Sequence, residues 1–368
     1  MRTLFWASSF WPEIGGVGLL GTKFIETLRC RGYEFVVIAP QSSSNQPSES
    51  EYHGIPVYRF PFWNAMVDID LFTKIRGEVT SLKRSFAPDL VHIYAVNRSN
   101  FFYHISAHEH SAPLLVTLHG LMVSQANDHM ARTLGAADWV TACSSALLNA
   151  GRKMVPQITS RSSTIHNGID EPRVQPTPLS FDPPQLLCLG RLVKEKGVDV
   201  MLDAFPSVLT HYPNTRLVIG GDGPAMPDLE QQALRLGVRD AVDFMGWVAP
   251  DKVAELMNTS SVVIMPSRGE AHPLVSLEAA MMSRPIVATR VGGLPEVVTD
   301  QETGILIGSD DSNALSEAIV FLLDQPEIAT NMGQEARRRA RKEFSWEGHV
   351  DAYDTLYQSI VRDYSNRN

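Results

Sequence analysis

The chain has 368 residues, of which 44% are hydrophobic and 20% charged, with a formal net charge of −9. That length exceeds one ordinary core and calls for two domains. The acidic balance argues against a nucleic-acid partner, which would favour a basic surface. Cys30, Cys143 and Cys188 are scattered in apolar settings, as expected of reduced core thiols rather than a disulfide framework or zinc site. No run of about eighteen apolar residues is present, so no transmembrane helix is expected. The start, MRTLFWASSFW, has one positive charge, a short apolar run and Pro12 behind it, and reads as a buried strand rather than a signal peptide. A cytoplasmic protein is expected, with peripheral association at the cytoplasmic face of the inner membrane left open.

In the first half, short all-apolar stretches predict strands at Thr3–Ala7, Phe35–Ala39, Leu90–Tyr94, Leu114–Leu118 and Trp139–Ala142. Helical patterns at Leu19–Arg31, Leu71–Phe86 and Arg98–His108 separate them. Strand-helix alternation of this kind implies a parallel sheet buried on both faces. Pro40–Tyr52, rich in Ser, Asn and Gln, and Pro61–Asp70 read as loops. The segment EPRVQPTPLSFDPP, Glu171–Pro184, carries five prolines and no periodicity and reads as an interdomain linker. Behind it the alternation restarts with QLLCLG, VDVMLDAFPSVLTHY and RLVIGG and runs to GILIG. The fold class is therefore α/β, two doubly wound domains in tandem. The expected boundaries are 1–175 and 176–345, followed by a C-terminal helix over 346–368. The basic run EARRRARKEF has acidic neighbours and reads as a solvated helix face in preference to a membrane contact.

Several places carry chemistry. Glu270 and Glu278 stand eight residues apart in PSRGEAHPLVSLEAAMM, one in a loop and one on a helix. Pro273 and Leu274 mark that helix's start, where unpartnered N–H groups would face an anion. Glu278 lies among Val275, Leu277, Ala279 and Ala280, and a glutamate in such an apolar helix needs a polar partner. Arg191 and Lys196, in GRLVKEKG after the first strand of the second half, suit a diphosphate or a plain solvated loop. His119 follows a buried strand directly, where parallel sheets bind ligands, although a structural histidine also fits. The glycines of EIGGVG and of GGDGP fit either close approach to a ligand or a tight turn. His104, His108, Glu109 and His110 imitate a metal cluster but lack a zinc-site spacing, and no metal is expected.

Taken together, PEIGGVG, TLHG, ADWVTACS, IHNGID, GRLVKEKG, GGDGP, VDFMGWV and the Glu-x7-Glu stretch with VGGLPEVV resemble the retaining, nucleotide-sugar-dependent glycosyltransferases of family 4. The match spans nearly the whole chain in order. The resemblance implies GT-B architecture: two Rossmann-like domains facing across a cleft, with acceptor on the first, donor mainly on the second, and the last helix crossing back to the first. Arg191 and Lys196 would then hold the donor diphosphate with backbone near Pro273, Leu274 and Val275. Glu278 would take the ribose, the backbone at Met245 and Trp247 would edge the base, and Glu270 would face the transferred sugar. Gly15, Gly16 and His119 would complete the site from the first domain, with Gly16 near the phosphates and His119 alongside Glu270 in catalysis. Two departures stand out. Ala271-His272-Pro273 replaces the common Gly-Phe-Gly, which puts His272 forward as a phosphate or sugar contact, and His119-Gly120 replaces the common His-Asp.

The expected activity is transfer of a hexose from a nucleoside-diphosphate sugar, UDP-linked in preference to GDP-mannose, without cofactor or metal. The acceptor would be a hydroxyl of a glycan, a lipid-linked or a small molecule, as in polysaccharide or glycolipid synthesis. A nucleotide-sugar epimerase on the same architecture is the weaker alternative, because it would lack GRLVKEKG together with Glu-x7-Glu.

Overall fold

The computed structural model describes residues 1–12, 15–43, 45–120 and 128–367. Glu13 and Ile14 of the first glycine-rich stretch lie outside the described residues. The chain divides into two units: residues 1–166 with 349–368, and residues 167–348. The divisions fall at 166/167 and 348/349, where the sequence pattern suggested 175/176 and 345/346.

Unit 1 contains strands β1 (Arg2–Ala7), β2 (Glu34–Pro40), β3 (Glu49–Tyr52), β4 (Ile55–Phe60), β5 (Leu90–Tyr94), β6 (Leu114–Leu118), β7 (Trp139–Ala142) and β8 (Ser162–Thr164). Its helices are α1 (Gly16–Cys30), α2 (Phe62–Ala65), α3 (Ile69–Phe86), α4 (Asn100–Ile105), α5 (Asp128–Ala136) and α6 (Ser145–Met154). The sheet order is β3-β4-β2-β1-β5-β6-β7-β8, parallel throughout except for the antiparallel edge pair β3 and β4. The five expected strands form where every side chain can be buried. Pro40–Tyr52 is not all loop, because its last four residues pair with β4, and Pro61–Asp70 holds α2 and the start of α3. Helix α3 begins two residues before its apolar pattern, because the Asp68 carboxylate caps the N–H groups of Asp70 and Leu71.

Unit 2 contains β9 (Gln185–Leu189), β10 (Arg216–Gly220), β11 (Val242–Gly246), β12 (Val262–Met265), β13 (Ile286–Thr289) and β14 (Gly304–Ile307). These form one parallel sheet in the order β11-β10-β9-β12-β13-β14. Helices α7 (Val198–His211), α8 (Met226–Arg235), α9 (Val253–Asn258), α10 (Leu274–Met281), α11 (Leu294–Val297), α12 (Ser312–Asp324) and α13 (Pro326–Glu343) connect and follow the strands. One core gathers Leu186, Phe205, Ile219 and Leu322, and another gathers Leu187, Val263, Met282 and Leu294.

The proline-rich segment is not a free linker. Thr177 is held by Asn258 and Arg284, Ser180 accepts a hydrogen bond from Ser261, and Leu179 and Phe181 pack on the unit 2 core. Prolines remove ladder donors and so erase any strand pattern, but they leave side chains and carbonyls able to dock.

Helix α14 (Trp346–Ser365) starts in unit 2 and belongs to unit 1 from His349 on. Within unit 1 it is keyed to the sheet through buried polar contacts. His92 Nδ1 lies 2.6 Å from Tyr357 Oη, and His92 Nε2 lies 2.7 Å from Thr117 Oγ1. Thr117 in turn meets Thr141 at 2.6 Å and Tyr353 at 3.2 Å. Burial drives the His92 pKa well down, so the ring is neutral, with one nitrogen donating and the other accepting.

Cys143 and Cys188 are buried as expected, and burial raises the Cys188 thiol to about 12. Cys30 is exposed, because it closes α1 on the helix's outer side. Among the described residues no helix is long and apolar enough to cross a membrane.

Candidate active site

In unit 2 the strand order reverses between β9 and β12, and open α/β sheets bind ligands outside such a reversal. The loops leaving these strands carry Arg191–Lys196 and Pro266–Pro273. They bring Lys196 and Glu270 together: Lys196 Nζ donates to Glu270 Oε1 at 2.6 Å, and Ser267 Oγ donates to the same oxygen at 2.8 Å. The Glu270 side chain is 7% exposed and that of Lys196 30% exposed, so the carboxylate is almost fully withdrawn while the ammonium still reaches solvent. Arg191 stands exposed in the same loop, and its guanidinium makes no hydrogen bond or ion pair among the described residues.

The backbone around this pair leaves little freedom. Gly221 has φ +129°, and a Cβ there would lie 1.8 Å from the Gly190 carbonyl oxygen. The GGDGP turn thus braces the Arg191 loop, with Leu192 N–H donating to the Asp222 carbonyl at 2.8 Å. Gly221 N–H also donates to the Gly246 carbonyl at 2.7 Å, which ties the exposed Met245 and Trp247 of the β11 end to this turn. On the other side, Gly293 N–H donates to the Glu270 carbonyl at 3.0 Å.

Arg268 was not legible as a site residue. Its guanidinium donates to both carboxylate oxygens of Asp199 at 2.8 and 2.7 Å, to Asp310 at 2.7 Å, and to the Lys194 carbonyl at 2.6 Å. Arg268 N–H donates to the Glu195 carbonyl at 2.7 Å. One residue therefore locks the Glu270 loop onto the Lys196 loop and the start of α7. Burial alone would raise the Asp199 carboxyl, but the Arg268 bonds hold it below its usual range. Asn167 of IHNGID was also missed as a positioning group; its side-chain amide donates to the His272 carbonyl at 2.9 Å.

Pro273 is the extended residue just before α10, and Leu274 and Val275 open the helix. Glu278, one turn further along, is partly exposed, and its carboxylate has no hydrogen-bond partner within the protein among the described residues. The polar partner expected for it does not come from the fold. Burial pushes its carboxyl up from 4.5 to about 7. Below about pH 4.5 both folded and unfolded chains are protonated here, so the group contributes nothing. As pH rises, the unfolded chain ionises first and stability falls until the folded carboxyl ionises near 7. Glu278→Gln is expected to flatten that decline and to stabilise the protein above about pH 8 by on the order of 2 kcal/mol, a value discounted for partial exposure. Urea denaturation of both proteins across this range checks it, and identical pH slopes would refute it.

His272 is 3% exposed, with its ring edge-on to Phe344 at 5.4 Å. Its packing is that of a core side chain. The metal-like histidines separate: His104 Nε2 bonds Thr133 Oγ1 at 2.9 Å, and burial lowers its pKa to about 4. Among the described residues no group of three or more His, Cys, Asp or Glu is placed to hold a metal.

In unit 1 the strand order reverses between β1 and β5, and a pocket of about 520 Å³ opens there. Ser8, Trp63, Asn97, Arg98 and His119 line it. His119 closes β6, largely buried, with its ring 4.2 Å from that of Tyr94. Gly15 is the extended residue before α1, and a Cβ there would meet nothing within 4 Å. Gly15, Gly16 and His119 thus belong to unit 1, and the other expected site residues belong to unit 2.

Two largely parallel α/β units, each with loops opening at a strand-order reversal, make this a GT-B fold. The profile described as Glycosyltransferase Family 4 matches residues 14–173, and that described as Glycosyl transferases group 1 matches residues 172–339. The chain belongs to the family 4 glycosyltransferases and is an enzyme that transfers sugar. It is 28% identical to N-acetyl-alpha-D-glucosaminyl L-malate synthase of Bacillus anthracis, over 97% of both chains. It is also 28% identical to a glycogen synthase of Mycobacterium tuberculosis, over 98% of this chain and 95% of that one. Sucrose-phosphate synthase from Thermosynechococcus elongatus shares the fold with a TM-score of 0.85 at 20% identity, covering 99% of this chain and 100% of that one. HepE of Anabaena, solved in complex with UDP and glucose, aligns with a TM-score of 0.79 at 21% identity, over 98% of this chain and 100% of that one.

Proposed function

We propose that the enzyme transfers a hexose from a UDP-sugar to an acceptor hydroxyl with retention of anomeric configuration and without a metal. The observation that carries this reading is the Lys196–Glu270 pair beside the unengaged Arg191 at the sheet's reversal point. Breaking the bond from the sugar's C1 to the phosphate oxygen sends the electron pair onto the departing diphosphate, so the site needs positive charge there. Arg191 as a fork, Lys196 as a point charge, and the N–H groups of Leu274 and Val275 supply it. Glu278 accepts from the ribose hydroxyls, and the backbone at Met245 and Trp247 borders the base. Glu270 orients the sugar and stabilises charge at its reacting carbon. The acceptor oxygen attacks on the face the leaving group vacates and gives its proton to the departing phosphate. We assign the acceptor, a glycan, lipid-linked or small-molecule hydroxyl, to the unit 1 pocket that holds His119. UDP as the nucleotide draws support from the UDP bound by HepE.

UDP-glucose is expected to raise the thermal midpoint by several degrees and GDP-mannose less, because a donor stabilises only the folded state. Chelator should change neither the shift nor the slow release of sugar and UDP. Stabilisation by GDP-mannose instead would move the reading to a mannosyltransferase. Return of an isomeric nucleotide sugar would identify an epimerase, and loss of activity with chelator would overturn the metal-free reaction.

A further inference from the structure

Helix α13 buries Ala329, Met332, Gly333, Ala336 and Ala340. Ala336 and Ala340 pack with Phe344 against Leu277, Ala280 and Met281 of α10. Four of its cationic side chains turn to a concavity of about 790 Å³ shared with the proline-rich segment, lined by Arg337, Arg338, Arg341, Lys342, Ser283 and Thr177. Beneath Thr177 and next to Ser283 lies Arg284, 0% exposed. Its guanidinium reaches only neutral oxygens: the Ser260 carbonyl at 3.1 Å, the Thr177 carbonyl at 2.5 Å and the Asn258 side chain at 3.0 Å. Burial lowers its pKa to about 10. The Nε groups of Arg284 and Arg337 are buried and have no hydrogen-bond partner among the described residues.

The local charge is unbalanced. Glu171 pairs with Arg337 at 3.4 Å and with Arg341, and Glu335 pairs with Arg338. Lys342 makes no ion pair among the described residues. Four cations of the lining thus face two carboxylates, with Arg284 buried behind them, on a chain whose net charge is −9. A basic run at a helix C-terminus partly complements the helix dipole, and Arg339 does so for a neighbour, donating to the Glu296 and Val297 carbonyls at 2.8 and 2.7 Å. The dipole does not explain a fully buried arginine without a counter-ion, which is costly unless an anion comes near. Guanidinium forks match phosphate oxygens, and the volume is that of a small-ligand site.

We propose that this concavity binds a phosphate-bearing ligand, at a site built from α13 and Pro176–Leu179 and separate from the Lys196–Glu270 loops. The phosphate belongs either to a free phosphorylated molecule or to an anionic lipid headgroup. Isothermal titration with inorganic pyrophosphate on the full chain carrying Arg191→Ala and Lys196→Ala removes the donor-loop cations as an explanation. Binding is expected there, weakening at least tenfold when Arg338→Ala and Lys342→Ala are added. Both residues are exposed, so the unfolding midpoint should stay in place. Flotation with phosphatidylglycerol-containing vesicles, against phosphatidylcholine alone, separates the sources. Anionic-vesicle binding lost in the Arg338→Ala/Lys342→Ala chain assigns the headgroup, and pyrophosphate binding without it assigns a free phosphate. Binding in neither arm, or binding that survives both substitutions wherever it occurs, overturns the site.

Discussion

Lys196→Ala is expected to lower turnover by about a thousandfold while the chain still folds. Among the described residues the ammonium is the one positive group in contact with Glu270, and on the proposed reading it stabilises the phosphate as the glycosidic bond breaks. Removing one preorganised stabiliser of developing charge typically costs on the order of a hundred- to a thousandfold in turnover. The upper end fits here, because the substitution also leaves the Glu270 carboxylate with only the Ser267 hydroxyl on Oε1. The fold should survive, since Lys196 is partly exposed and Arg268 independently fastens the two loops. Initial rates with the donor identified by thermal shift, alongside circular dichroism, check both halves. Unchanged turnover would remove the pair from the mechanism.

Gly292→Ala should be among the most damaging single methyls in unit 2. Gly292 has φ +51°, and a Cβ there would sit 1.7 Å from the Glu270 carbonyl oxygen. The left-handed backbone costs an alanine about 1 kcal/mol, and a backbone clash adds an overpacking cost of roughly 1–3 kcal/mol. A loss of about 3 kcal/mol is expected by urea denaturation, with turnover falling as well because relief of the clash moves Glu270. Gly237→Ala separates the two causes: its φ is +70°, but nothing lies within 4 Å of the added carbon, so about 1 kcal/mol is expected. Equal losses at both positions would show that the clash at Glu270 is relieved without cost.

The sheets were legible wherever strands are buried on both faces. β5, β6 and β7 have the ends their apolar runs indicate. β4 was not legible, because Pro56 and Arg59 interrupt IPVYRF, although Arg59 is 1% exposed and donates to Ser50 and the Trp11 carbonyl. β3 was hidden by its own polarity, which suits an edge strand. In the site, the loop residues Lys196 and Glu270 announced themselves through glycines and a helix start. Arg268 did not, since its partners Asp199 and Asp310 lie 69 and 42 residues away and no local pattern marks an arginine as a clamp. For His272 the loop position was legible, while its contact with Phe344, far along the chain, was not.

The keying of α14 to unit 1 sets an order on biosynthesis. Unit 2 is one unbroken segment and can close as soon as residue 348 has left the ribosome. Unit 1, although made first, waits: His92 cannot meet Tyr357 until 265 further residues have been added. At about 5–20 residues per second that delay is roughly 13–50 s. Throughout it, the side of β5 and β6 that α14 will cover is without its lid. The nascent first half is therefore the stretch most in need of chaperone protection.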